Sequence, residues 1–340
     1  MNIIVYDVAA AGGGGATILK QYIEKAKTDK DNQWWFIVSL PELRGNDSEN
    51  VHVLYQATLN KAGIKRWINR FFFEHFRLSG IISQINPDQV LSLQNMPMPK
   101  AECLQTVYLH QSLQFAPVKF SFIKKEERTC AIRQRIICRM IQQNLRGVDS
   151  VIVQTRWMKK ATAHWAGIPE ERIHVETPCA LEHEVRTEKR AIRNSRKFFY
   201  PASGHVYKNH RILIEACKLL KREGIQDYHI TFTLNPSGNY FEKSLYDEVQ
   251  KERLPISFIG YQDQDAVFAK YAEQTLLFPS YIETFGLPLQ EAKAFNAPII
   301  ASDCPYAHDV LEGYDYCLFA KWNDAQAWAD AIKQELRQLY

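Results

Sequence analysis

Two carboxylates, Glu283 and Glu291, stand in the stretch of this 340-residue chain with the clearest chemical content. Leu276, Leu277 and Phe278 make a short apolar run of the kind that forms a buried parallel strand, and Pro279 and Ser280 stop it. Pro288 then sits where proline suits the first turn of a helix, with Glu291 about one turn further in. One carboxylate therefore projects from a loop and the other from a helix start. The backbone N–H groups of that helix start attract anions. An ionised carboxylate can accept hydrogen bonds from two neighbouring hydroxyls of a sugar. The pair suits a ligand with sugar at both ends and phosphate between, which is the layout of a nucleotide-sugar. The competing account is a helix carrying two solvated glutamates.

Other residues have chemistry within reach. Lys208 lies between a strand-like segment and a helix-like one, well placed to neutralise a diphosphate; the competing account is a surface lysine. His110 closes a strand of the first half, at the carboxyl end where ligands bind in parallel sheets. A neutral imidazole there can hydrogen-bond a sugar hydroxyl, although a lone histidine is usually structural. The run Gly12, Gly13, Gly14, Gly15 follows the first strand and lets backbone approach a ligand, or simply makes a tight turn. It matches G-x-G-x-x-G poorly, and Glu42 is a weak candidate for the ribose-binding acid of a nicotinamide enzyme. Gly260 and Tyr261 follow another strand, and Asp263 beyond them suits a helix N-cap. His308 and Asp309 lie close to another helix start, where capping is the simplest role.

The elements that must position these residues alternate between strand and helix, the pattern of α/β domains with parallel sheets. In the first half, strands are expected at 3–8, 35–38, 89–93, 106–109 and 150–154. Helices are expected at 16–27, 61–82, 128–144 and 156–165. Residues 178–195 are charged and irregular and read as a linker. In the second half, strands are expected at 197–201, 229–234, 256–259, 276–278 and 298–301. Helices there are expected at 210–222, 263–271, 287–296 and 325–339. No internal repeat is evident.

Length suits two domains, each with its own core. Hydrophobic content of 46% and charged content of 24% are ordinary for a soluble globular chain. No apolar run approaches the roughly 20 residues that span a bilayer. The first residues, Met1 to Asp7, read as a strand and not as a signal peptide. The seven cysteines are widely spaced, without Cys-x-x-Cys, which points to a reducing compartment. A cytoplasmic protein is expected. Two basic stretches stand out, 61–77 with Trp67, Phe71, Phe72, Phe73 and Phe76, and 119–146 with eight lysines and arginines. A basic face with aromatics suits an anionic membrane surface, here the inner face of a membrane; the alternative is core aromatics beside solvated charges. Nucleic acid is not expected at a net charge of +4 with no matching motif.

The motif around Glu283 and Glu291 resembles that of the retaining, GT-B-fold glycosyltransferases of family four (glycosyl transferases group 1). The resemblance rests on Glu-x7-Glu, on Pro279-Ser280 before it, Phe285-Gly286 within it, and the run from Pro298 to Asp303 after it. It covers the second half well and the first half loosely. It implies an α/β fold of GT-B architecture, two Rossmann-like domains facing a central cleft. Residues 1–190 would form the acceptor domain, 195–324 the nucleotide-sugar donor domain, and helix 325–340 would cross back to the first. It implies sugar transfer with retention of anomeric configuration, with no metal and no cofactor. Glu283, Lys208 and His110 would be the catalytic residues. Glu291, Thr284, Phe285, Gly286, Leu287, Gly260, Tyr261, Gly13, Gly14, Gly15 and His205 would bind the donor. Many members carry an arginine shortly before the lysine, whereas this chain has none between Lys197 and Arg211. His205 or a backbone N–H is the expected substitute. The acceptor would be a glycan or a lipid-linked molecule, in bacterial surface polysaccharide or glycolipid synthesis. The alternatives are a noncatalytic nucleotide-sugar-binding subunit of a glycan assembly complex and a sugar-nucleotide epimerase of similar fold. Turnover with any acceptor would exclude the noncatalytic subunit.

Overall fold

A computed structural model describes residues 1–10, 13–60, 63–178 and 196–337. The chain divides into two compact units, Met1–Gln111 with Ile137–Cys179, and Ser112–Ile136 with Ala180–Tyr340.

The first unit is built on seven parallel strands. They are β1 (Asn2–Asp7), β2 (Gln33–Val38), β3 (Val51–Tyr55), β4 (Gln89–Ser92), β5 (Leu104–Tyr108), β6 (Ser150–Val153) and β7 (Ile173–Val175), in the order β3-β2-β1-β4-β5-β6-β7. β1 is buried on both faces, which is why Ile3 to Tyr6 is an unbroken apolar run. Ile3 and Val5 pack with Leu19, Tyr22 and Ile23 of helix α1 (Gly13–Thr28). Ile4 and Tyr6 face the other way, onto Phe73 and Leu78. Those two residues belong to a long helix made of α2 (Gly63–Phe72), a π turn at Phe73–Arg77 and α3 (Leu78–Ile85).

The next helical stretch crosses the division between the units. It begins as α4 (Arg128–Ile132), passes through a π turn at Arg133–Ile137 and continues as α5 (Cys138–Leu145), followed by α6 (Arg156–Ala166). The second unit has six parallel strands: β8 (Lys197–Tyr200), β9 (His229–Phe232), β10 (Ile256–Phe258), β11 (Thr275–Phe278), β12 (Ile299–Ser302) and β13 (Cys317–Ala320). Their order is β10-β9-β8-β11-β12-β13. Its helices are α7 (His210–Arg222), α8 (Tyr240–Glu252), α9 (Gln264–Glu273), α10 (Leu287–Ala294), α11 (Pro305–Val310) and α12 (Ala325–Arg337).

Both sheets are doubly wound. In each, strand order reverses beside the first strand, between β1 and β4 and between β8 and β11. Ligands bind outside the carboxyl ends of the strands at such a point. The strands absent from the sequence reading, β3, β7 and β13, are all sheet edges, where short length and partial exposure blur the pattern. Helix α8 was also not anticipated, although Phe241, Leu245 and Val249 recur at its buried face.

One boundary differs from expectation. Residues 112–136 group with the second unit, not with a first domain of 1–190. The described part of the last helix, α12, packs on α7 within the second unit. Lys333 bridges Glu223 at the end of α7 at 2.9 Å, and Glu335 accepts from the Thr275 hydroxyl at 3.0 Å. The expected linker, 178–195, lies almost wholly outside the described residues.

Candidate active site

The second unit brings Lys208 and Glu283 together. Lys208 lies in the loop after β8 and Glu283 in the loop after β11, two adjacent strands at the point where strand order reverses. Lys208 Nζ donates to Glu283 Oε1 at 2.5 Å, with the two side chains only 17% and 15% exposed. The loops are stitched from below. The Tyr281 N–H donates to the Tyr207 carbonyl at 3.2 Å. The buried Tyr200 hydroxyl donates to the Lys208 carbonyl at 2.7 Å and lies 3.3 Å from the Ser280 hydroxyl. Tyr306 donates to the Ser280 carbonyl at 2.5 Å. Asn209, in the left-handed region, ties the second loop to the first by donating to the Pro279 carbonyl at 3.2 Å. A lysine and a glutamate held this way can stabilise charge on a leaving phosphate and hold a sugar hydroxyl.

Gly286 makes the turn into α10. Its φ of +91° favours glycine, and a Cβ there would sit 3.3 Å from Leu289, 3.4 Å from Phe278 and 3.5 Å from Tyr306. Pro288 occupies the first turn of α10, as the sequence suggests. Thr284, the buried Phe285 and Leu287 complete the turn, so the α10 N-terminus opens beside Glu283. Glu291 lies one turn in. Its Oε2 accepts from the Tyr271 hydroxyl at 3.1 Å, and burial raises its carboxyl above the usual range while that hydrogen bond partly offsets the rise.

His205 stacks on Tyr207 with ring centroids 5.4 Å apart. Partial desolvation, then the positive charges of Arg133 and Lys208, lower its pKa, so it is neutral near pH 7. That shift disfavours the imidazolium that a second cationic contact would need. Gly260 and Tyr261 follow β10, two strands from β8, with Tyr261 almost fully exposed. Asp263 caps α9 by accepting from the Ala266 N–H at 2.9 Å. His308 pairs with Asp303 at 2.7 Å and lies inside α11, whose N-cap is Cys304, so the expected capping role is not what it does.

The first unit gathers a separate set. Gly13, Gly14 and Gly15 open α1 as its first turn; Gly12 lies outside the described residues. A Cβ on Gly15 would lie 3.9 Å from Cε1 of His110, so the two expected features adjoin. The His110 N–H donates to Asn95 Oδ1 at 2.8 Å, and burial pushes its imidazole down to about 4. Asp7 was missed from the sequence. It ends β1 and is 1% exposed, its Oδ1 accepts from the Ala9 and Ala10 N–H groups, and its Oδ2 has no hydrogen-bond partner among the described residues. Burial pushes its carboxyl up to about 6 against those bonds and the charges of Arg70 and Arg66. A carboxylate closing an apolar strand just before a glycine run was the available signal. Glu42 pairs with Lys20 at 2.9 Å, an ordinary surface bridge. The chain does contain Asp-x-Asp, at Asp29 and Asp31 and at Asp263 and Asp265. Asp29 accepts from Asn32 and Trp34 and Asp263 is the cap of α9, so these two lead residues have structural uses.

Of the aromatics in 61–77 only Phe73 is core; Trp67, Phe71, Phe72 and Phe76 are 64%, 54%, 55% and 73% exposed. Arg66 and Arg70 turn inward, to the Ala9 carbonyl and to Glu74. No helix of the described residues is long and apolar enough to cross a membrane.

Fold and site together define a class, the GT-B glycosyltransferase fold. A solved structure of Anabaena HepE with UDP and glucose superposes with a TM-score of 0.68 at 14% identity, over 99% of this chain and 90% of that one. The sequence agrees: residues 183–338 match the model of the glycosyl transferases group 1 family. An O-antigen chain mannosyltransferase of Salmonella typhimurium is 43% identical over 58 residues, 17% of this chain and 16% of that protein. A D-inositol 3-phosphate glycosyltransferase of Corynebacterium efficiens is 26% identical over 243 residues, 66% of this chain and 56% of that protein. The chain thus spans little more than half the length of these relatives at most.

Proposed function

We propose that this protein transfers a hexose from a nucleoside diphosphate sugar to an acceptor, with retention of anomeric configuration, in bacterial surface polysaccharide or glycolipid synthesis. The observation that carries the reading is the enclosed Lys208–Glu283 pair beside the α10 N-terminus, at the reversal of strand order. Lys208 and the first amides of α10 stabilise the diphosphate as the bond from the sugar C1 to its oxygen breaks. The acceptor oxygen bonds to C1 on the same face and passes its proton to the departing phosphate oxygen. Glu283 holds a hydroxyl of the transferred sugar and Glu291 the ribose. His110 serves the sugar or acceptor as a neutral hydrogen-bonding group. The chemistry assigned to these residues requires no metal. The names of the O-antigen and inositol phosphate relatives favour a glycan or lipid-linked acceptor.

The exposed aromatic face of α2 and its π turn is the part of the expected membrane surface that this reading keeps. Aromatics at that exposure beside the exposed Lys65 and Arg77 suit the headgroup region of an anionic bilayer. That contact would put the enzyme on the inner face of a membrane, close to a lipid-linked acceptor.

A thermal-shift panel of UDP-, GDP- and dTDP-sugars tests the donor site, because a ligand that binds only the folded state raises the melting temperature. One nucleotide should stabilise the wild type and fail to stabilise Glu291→Ala. If no nucleotide-sugar shifts the wild type, the donor reading is wrong.

A further inference from the structure

The site as built has too little positive charge for its proposed ligand. Lys208 is already neutralised by Glu283. The helix N-terminus of α10 adds only about half a charge. A nucleoside diphosphate brings two to three negative charges, so another fixed cation is required close by. His205 is poorly suited to it, because desolvation and the neighbouring cations lower its pKa.

We propose that Arg133 is that cation, reaching the diphosphate from the helix that begins at α4 in place of an arginine in the β8–α7 loop. The proposal rests on the nucleotide-sugar reading of the site. Residues 112–136 belong to the same unit as Lys208. Phe120, from this segment, stacks on Tyr281 with ring centroids 6.4 Å apart, beside the loop that carries Glu283. Gln134 pins the segment, accepting from the Phe120 N–H at 3.1 Å and donating to the Val118 carbonyl at 2.8 Å. Cys130 is buried and close enough to both Tyr207 and Tyr281 to couple with them electrostatically. Arg133 is three residues on, hence on the same face of the helix one turn along. Its charge acts on both His205 and Tyr207, the residues just before Lys208.

Neighbouring cations are already used. Arg135 donates to the Phe120 carbonyl, Arg128 to the Phe122 carbonyl, and Lys124 pairs with Glu127. Arg133 is exposed and, among the described residues, has neither an acceptor nor a carboxylate partner. A guanidinium with five donors left open beside a phosphate-binding loop is suited to bidentate phosphate contact.

The test is calorimetric titration of UDP and GDP, with uridine and guanosine as phosphate-free controls, into the wild type, Arg133→Ala and Arg133→Lys. Arg133→Ala should weaken the nucleoside diphosphate that binds by about 10- to 100-fold, the loss expected for one charge-assisted contact. Arg133→Lys should restore part of it, and the melting temperature without ligand should not move, since the side chain has no partner to lose. Wild-type binding of a diphosphate with unchanged affinity in Arg133→Ala overturns the role of Arg133 and leaves the donor site standing. Equal weakening of the nucleoside would mark a structural defect and also overturn it. A wild type that binds neither diphosphate overturns both readings together.

Discussion

Replacing Glu283 with Gln should separate binding from catalysis in opposite directions. Lys208 Nζ is 2.5 Å from Glu283 Oε1. A phosphate oxygen hydrogen-bonded to the same ammonium would then stand about 5 Å from that carboxylate. At that distance Coulomb's law gives about 1–3 kcal/mol of repulsion per unit charge, for an effective dielectric between about 80 and 20. The side chains are largely enclosed, so the upper part of that range applies. Glu283→Gln keeps the shape, removes the repulsion and releases Lys208 to the phosphates. UDP or GDP should therefore bind about 30- to 150-fold more tightly. Turnover of the matching nucleotide-sugar should fall by at least about 100-fold, because the amide is a weaker acceptor for the sugar hydroxyl at the moment charge develops. Titration calorimetry gives the first quantity and a coupled assay for released diphosphate the second. The reasoning is refuted if the variant binds the nucleoside diphosphate no better than the wild type. That result would mean the lysine and the carboxylate do not share the phosphate subsite.

Further outcomes follow from other parts of the structure. Gly286→Ala should lose about 2–3 kcal/mol in urea unfolding, from an alanine at φ +91° and three apolar contacts at 3.3–3.5 Å; a loss below about 0.5 kcal/mol would remove the argument for a required turn. Asp7 has a folded carboxyl near 6 against an ordinary 3.8, so the folded state holds its proton more tightly and this group costs stability as pH rises through that window. The difference in unfolding free energy between Asp7→Asn and wild type should swing by about 2 kcal/mol in favour of the variant from pH 4 to pH 6.5, and a flat difference would contradict the burial of that charge. His110, held down to about 4, acts with the opposite sign: its contribution is lost as pH falls from about 6.5 toward 4, and His110→Asn should flatten that acid loss in the same unfolding series. In flotation with phosphatidylglycerol vesicles the wild type should rise with the lipid and a Trp67→Ser, Phe71→Ser, Phe76→Ser variant should stay behind; equal flotation would exclude the aromatic face as the contact.

Much of this protein is written locally. The alternation of apolar runs and helical periodicity marks two parallel α/β units, because a strand buried on both faces has little freedom of composition. The turn at Phe285 and Gly286, Pro288 in the first turn of α10 and the place of Lys208 between β8 and α7 are all short-range consequences of residue type. What the chain order could not supply was adjacency. Lys208 and Glu283 are 75 residues apart, and they meet because β8 and β11 are neighbours in the sheet, a fact of strand order and not of any local pattern. The assignment of 112–136 to the second unit was hidden for the same reason. An amphipathic segment shows that it has an apolar face, but not which sheet that face will cover. The exposure of Trp67, Phe71, Phe72 and Phe76 was equally invisible, since aromatics at helical spacing look the same whether they line a core or face outward. Residue types and their spacing determined the fold class and the kinds of groups available for chemistry. Only tertiary structure decided which of those groups face one another, because long-range packing sets the distances on which Coulomb energies and hydrogen bonds depend.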